Sequence, residues 1–143
     1  ILRLSDICQL TDGEKRDVNG IYMDAKFLRS KSTGKYFDKG KFVYKGDDII
    51  LVDGENSGEV FSVPIDGYMG STFKQLWIST EVYKPFILLF ILYFKDKLRN
   101  SKKGAAIPHL NKDVFYNLLI GIPPLLEQER IVCKVNNLFK LDK

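Results

Sequence analysis

Only two cysteines, Cys8 and Cys133, and a single histidine, His109, occur in this 143-residue chain. Far apart, and with no Cys-x-x-Cys pair or histidine cluster beside them, they support neither a zinc site nor a disulfide framework, so a reducing cytoplasm is the simplest setting. One histidine cannot by itself make a catalytic triad or a metal centre. Long apolar runs are missing as well. The longest, Phe86 to Phe94, is nine residues, where a membrane-spanning helix needs about 20, so a soluble protein away from membranes is expected. No signal peptide opens the sequence and neither does a methionine, which points to a fragment or a trimmed chain. There is no G-x-G-x-x-G, no G-x-x-x-x-G-K-[ST] and no Asn-Pro-Pro-Tyr-like stretch. Nucleotide-binding and methyl-transfer chemistry therefore lack their usual carriers, and an independent enzyme is not expected.

What is present suits one folded domain. Hydrophobic residues make up 45%, aromatics 13% and charged residues 28%, enough apolar surface for a single core at this length. The net charge of +4 is modest, but its distribution is not. From Lys26 to Lys45 stand Lys26, Arg29, Lys31, Lys35, Lys39, Lys41 and Lys45 against one acid, Asp38, whereas Asp47 to Asp66 holds six acids and no base. A second basic run holds Lys95, Lys97, Arg99, Lys102 and Lys103 against Asp96. Such segregation builds either a basic face beside an acidic rim or a set of solvated loops.

Periodicity predicts an α+β fold. "ILRLSDICQLTDG" reads as a short strand or helical turn ending in an Asp12-Gly13 turn, and "GIYMDAKFLRS" as a strand. Lys41 to Tyr44, the run Ile49 to Val52 and Val60 to Val63, separated by turns, predict a tight antiparallel meander, and "STFKQLWIST" adds a strand. Glu81 to Asn100 predicts a largely buried helix whose terminal Lys95, Lys97 and Arg99 suit a helix C-terminus. Asn111 is placed to cap a short helix with Asp113 in its first turn, and "LLIGI" to form a strand. Pro123-Pro124 then fits a helix start, followed by Glu127 and Glu129. An apolar stripe of Ile131, Val135 and Leu138, widened by Leu125, Val132 and Phe139, makes that helix amphipathic. The stripe seeks either a partner helix or its own domain.

Three segments carry candidate contacts. "RSKSTGKYFDKGK" interleaves Lys31, Lys35, Lys39 and Lys41 with hydroxyls and Tyr36, so cations can reach phosphates while polar tips approach base edges. "VDGENSGEV" is a glycine-rich turn or a protruding loop offering Asn56 and Ser57; it matches neither a phosphate loop nor an EF-hand. "SKKGAAIPHL" joins Lys102 and Lys103 to small residues and His109. Each can also be read as an ordinary turn or surface loop; the first is the best contact candidate, and a glycine-rich turn is the default for the second.

Taken in order, "LSDI", "TDG", "KGDDIILVDGENSGEV", "YKPFILLFILYF" and "KGAAIPHLNKDVFYNLLIGIPPLLEQERIV" resemble a target recognition domain of a type I restriction-modification specificity (S, HsdS) subunit. "IPPLLEQERIVCKV" is the most specific element, resembling the junction where the recognition domain enters a conserved spacer helix. The resemblance implies a single recognition domain over residues 1–122, a mixed, largely antiparallel sheet with helices, and an amphipathic spacer helix beginning over 123–143. It implies DNA reading without catalysis, for partner methyltransferase and restriction subunits that hold S-adenosylmethionine, ATP and magnesium, this chain itself needing no cofactor or metal. A second recognition domain would come from dimerisation or a longer chain. Under this reading Lys31, Lys35, Lys39, Lys41, Lys102 and Lys103 position phosphates, and Tyr36, Asn56, Ser57, Ser71, Thr72 and His109 reach base edges. Leu125, Gln128, Ile131, Val132, Val135, Leu138 and Phe139 face a partner helix. The alternatives are the recognition domain of a fused restriction-methylation enzyme, or a protein-interaction module with no affinity for DNA.

Overall fold

The computed structural model describes residues 1–99 and 108–139. The order is β1 (Leu2–Arg3), a 3-10 turn (Leu4–Asp6), β2 (Cys8–Thr11), β3 (Glu14–Arg16), β4 (Gly20–Met23), α1 (Ala25–Leu28), β5 (Lys35–Phe37) and β6 (Gly40–Val43). Then follow β7 (Asp48–Leu51), β8 (Val60–Ser62), β9 (Gly67–Met69), β10 (Phe73–Ile78), α2 (Lys84–Tyr93), α3 (Lys95–Leu98), α4 (Lys112–Asn117), β11 (Leu119–Ile120) and α5 (Leu125–Phe139). The class is the α+β one expected. Only β4 and β9 pair in parallel; the other ladders among the described residues are antiparallel.

Among the described residues the strands form not one sheet but three, ordered β2-β10-β7-β8, β3-β6-β9-β4-β5, and the small pair β1-β11. The expected meander breaks here: β6 belongs to the five-stranded sheet and β7-β8 to the four-stranded one. The turn at Lys45-Gly46-Asp47 is where the chain changes sheets. Both outcomes present the same apolar runs in sequence, so alternation alone does not separate them.

Burial on β7 shows how the layers stack. All four of its residues are buried, and successive side chains point to opposite faces. Ile50 joins a core with Leu76, Ile87, Ile91, Leu98 and Phe115, on the helical side. Ile49 and Leu51 join a second core with Met23, Val43, Met69 and Phe73, shared with the five-stranded sheet. The molecule is therefore helices, four-stranded sheet and five-stranded sheet, with apolar layers on both faces of the central one. A fully buried isoleucine contributes roughly 1.5–3 kcal/mol from removal of its surface from water.

The long helix expected over Glu81 to Asn100 is shorter. Pro85 sits in the first turn of α2, and Phe94 (φ −96°, ψ 9°) ends it, with α3 restarting at Lys95. No base lies in the last turn of α2; Lys95 and Lys97 fall instead in the single turn of α3, with Arg99 as its C-cap. Asn111 behaves as predicted: its side chain accepts the Val114 N–H at 3.1 Å and caps α4. "GIYMDAKFLRS" is a strand only as far as Met23, because Asp24 accepts the Phe27 N–H at 2.9 Å and starts α1.

α5 begins where the prolines predict, with the Glu127 and Gln128 N–H groups donating to the Pro124 carbonyl at 2.9 and 3.0 Å. It packs on α2. Val132 is buried in that contact, while Leu138 and Phe139 keep 67% and 69% of their surface. The helix is thus seated on its own domain by one face and bare toward its C-terminal end.

Candidate nucleic-acid interface

The basic segment is partly strand. β5 lies at the edge of the five-stranded sheet and pairs with β4, placing Lys35 opposite Tyr22 and Tyr36 opposite Ile21. Lys31, Lys35 and Lys39 are exposed, and Tyr36 keeps 72% of its surface. Two backbone features shape the turn before β5. Ser30 has φ +60°, and Gly34 has φ +79° with no room for a Cβ, which would lie 2.9 Å from Phe27 Cδ1 and 3.0 Å from Ile21 Cδ1.

This turn walls a cavity of about 470 Å³. Its floor is the stacked pair Tyr22 and Phe37, with centroids 4.3 Å apart and planes 16° from parallel. Lys26, Lys35, Ser32 and Thr33 stand around it, and Asp24 lines it too. Of these, sequence reading picked out Lys35 and, as loop hydroxyls, Ser32 and Thr33. The aromatic floor was hidden because Tyr22 and Phe37 come from different strands, and Asp24 lay inside a run read as strand.

Not every base of the run is free to meet a ligand. Arg29 is paired with Glu59 and lies over the Phe61 ring at 5.6 Å, strapping the end of α1 to β8. Lys41 and Lys74 both reach Asp12, the former at 3.5 Å. Asp12 lies where the chain leaves the four-stranded sheet for the five-stranded one, so it ties β10 to β6 across the two. The hydrogen bond from Lys74, then the charges of Lys41 and Lys74, hold its carboxyl below the usual carboxylate range. In the second basic run Arg99 donates to the Glu55 carbonyl at 2.5 Å and pairs with Asp96, while Lys97 lies 5.9 Å from the Phe94 ring centre. Lys102 and Lys103 lie outside the described residues.

A second group of expected contacts converges through Val52. Its N–H donates to the Thr72 carbonyl and its own carbonyl accepts the Leu110 N–H, each at 2.8 Å. Gly54 N–H donates to the Pro108 carbonyl, and Asp53 bridges to His109. The segments bearing Asn56, Ser71, Thr72 and His109 are thereby tied together, with Asn56, Ser71 and His109 exposed and Thr72 half-buried. Ser57 corrects the expectation. It is 0% exposed and donates its hydroxyl to the Gly54 carbonyl at 2.6 Å, so it shapes the turn from within.

The predicted helix-partner set also divides. Val132 and Gln128 are buried within the chain's own body, the latter donating from Nε2 to the Pro123 carbonyl at 2.8 Å, so neither is available to a partner. Ile131 and Val135 are half-buried. Leu125, Leu138 and Phe139 remain exposed, and Phe139 with Val135 lines an apolar groove completed by Phe86, Leu89, Phe90 and Tyr93 of α2. Among the described residues no group of three or more His, Cys, Asp or Glu could hold a metal, and no helix is long and apolar enough to cross a membrane.

The profile of the type I restriction modification DNA specificity domain matches residues 1–143, the whole chain. The chain belongs to that family. Among curated proteins, this specificity domain is 29% identical over 143 residues to the type I restriction enzyme MjaVIII specificity subunit of Methanocaldococcus jannaschii. That match covers 92% of the chain and 33% of the relative. The fold of the domain is shared with the HsdS subunit from Thermoanaerobacter tengcongensis (TM-score 0.68, 21% identity), over 97% of the chain and 36% of the subunit. It is shared too with a type I restriction-modification S subunit from M. genitalium (TM-score 0.65, 16% identity), over 96% and 38%. A chain from a structure of complex assembly and conformational transition of the type I R-M system superposes with a TM-score of 0.72 at 20% identity, over 97% and 37%. The specificity domain therefore spans about a third of the length of each of these relatives.

Proposed function

We propose that this domain reads one half of a split double-stranded DNA target for methyltransferase and restriction subunits and performs no chemistry itself. The observation that carries the reading is the match of a DNA specificity family over the whole chain. The exposed Lys31, Lys35 and Lys39 on and around an edge strand support it, since phosphate neutralisation supplies most of the affinity of such proteins. Residues 1–122 act as the reading body and 123–143 as the start of a spacer helix. S-adenosylmethionine, ATP and magnesium belong to the partner subunits, and the assembly works in the cytoplasm. Because the relatives are about three times as long, a second recognition domain comes from the rest of a longer chain or from dimerisation, through the exposed Leu138 and Phe139. The M. jannaschii relative is itself named a specificity subunit, which favours this reading over a fused restriction-methylation enzyme.

Binding of the purified chain to random-sequence duplex, measured from about 50 to 200 mM salt, tests the proposal. Three phosphate-contacting lysines give a log K against log salt slope of about −3, at roughly −0.9 each. A flat slope, or no binding at low salt, refutes it and favours a protein-interaction module.

A further inference from the structure

The cavity beside β5 contains a group that a phosphate-gripping surface has no use for. Asp24 lines it together with Lys26 and Lys35. An anionic side chain on a DNA-facing surface repels the backbone unless it meets a donor. One oxygen of Asp24 is committed, accepting the Phe27 N–H at 2.9 Å. The other has no hydrogen bond or ion pair among the described residues, and neither neighbouring lysine closes on it.

A carboxylate can only accept hydrogen bonds. In the major groove the base edges present just two kinds of donor, the exocyclic amino groups of cytosine and adenine. The aromatic floor of Tyr22 on Phe37 gives an apolar surface for a base or a thymine methyl group. Ser32 and Thr33 add hydroxyls that serve either polarity. The turn holding them is costly to form: Ser30 is the only described non-glycine residue with positive φ, and Gly34 tolerates no side chain. Backbone strain of this kind persists where the surroundings impose it, commonly at ligand-contact sites.

We infer that the cavity between β4 and the 30–35 turn is a base-reading site in which the free oxygen of Asp24 accepts from the amino group of a cytosine or adenine. Lys26 and Lys35 meanwhile hold the flanking phosphates. The inference rests on the DNA-reading proposal and names the residue that gives one position of the target its identity.

Selection of bound duplexes from a random library, followed by sequencing, tests it on the full chain and on Asp24→Asn. Asparagine and aspartate are equivalent helix caps, so α1 is retained; Asp24→Ser, also a cap but too short to reach a base, is the second variant. The expected result is a wild-type motif with one cytosine or adenine position at which discrimination falls about tenfold or more in Asp24→Ser, while in Asp24→Asn a cytosine position shifts toward adenine and an adenine position is kept. The other positions are kept, and affinity for random duplex is equal or higher. An identical motif from wild type and both variants overturns the assignment while leaving DNA reading intact, and binding without any enriched motif overturns it as well. A wild-type chain that binds no duplex at low salt defeats the broader proposal and this inference with it.

Discussion

Arg29 and Lys31 stand two residues apart in the same basic run, yet the structure gives them opposite jobs, and substituting each by alanine separates them. The Arg29 guanidinium is paired with Glu59 and lies over Phe61, and the two charged side chains keep 30% and 29% of their surface. A charge-assisted hydrogen bond contributes roughly 1.5–3 kcal/mol and a cation–π contact about 0.5–1, but partial exposure screens the pair. Arg29→Ala should therefore cost about 1.5 kcal/mol, or a fall in Tm of about 3–6 °C for a chain of this size. Lys31 is exposed and its side chain has no partner among the described residues, so Lys31→Ala should stay within about 0.5 kcal/mol. On DNA the order reverses. Lys31→Ala should reduce the magnitude of the salt slope by about 0.9, and Arg29→Ala, measured well below its Tm, should leave it unchanged. Urea denaturation and filter binding across a salt series give both quantities. If Arg29→Ala keeps full stability while lowering the salt slope by about one, Arg29 faces the ligand and the assignment of internal and external bases is wrong.

Gly34→Ala should lose about 2 kcal/mol or more in denaturant titration, from left-handed backbone strain and a Cβ 2.9 Å from Phe27; an unchanged midpoint would show that the turn can rearrange. Burial pushes the Cys8 thiol up to about 12 from 9.0. Its stabilising contribution is therefore complete below pH 9.0 and is lost as pH rises from there toward the folded value, because the unfolded thiol ionises first. At pH 8 a thiol reagent should titrate one cysteine, the exposed Cys133, and both only in urea; two fast thiols in the native chain would contradict the burial. Leu138→Ala and Phe139→Ala should each change stability of the isolated chain by less than about 0.5 kcal/mol while weakening any self-association seen by sedimentation equilibrium. A large loss of stability from either would place that end of α5 inside its own fold.

Where sequence and structure agree, a local chemical cause is at hand. The start of α5 follows from two prolines whose missing N–H groups suit a helix entrance, and α4 from an asparagine whose side chain reaches the Val114 N–H. What was not legible depends on partners distant in the chain. The run from Lys41 to Val63 looks like a meander, but the second core claims Val43 and Ile49 from opposite sheets, and no local alternation signals the switch. Lys41 reads as a phosphate contact until Asp12, 29 residues earlier, pairs with it. Ser57 reads as a loop-tip hydroxyl until its turn closes over it. Asp24 sits in a run that reads as strand, so its capping of α1 is a structural finding, and its aromatic neighbours become neighbours only once β5 pairs with β4.

Val52 has a consequence for how such a protein can change. The strands and turns meeting there are fastened main chain to main chain, from Val52 to Thr72 and to Leu110, so the fastening is indifferent to the side chains displayed on those turns. Asn56, Ser71 and His109 could each be exchanged without loosening these backbone links. In the proposed reader, alphabet and binding are separate: new letters can be set in the same type-frame, one at a time, and each trial begins from a folded protein.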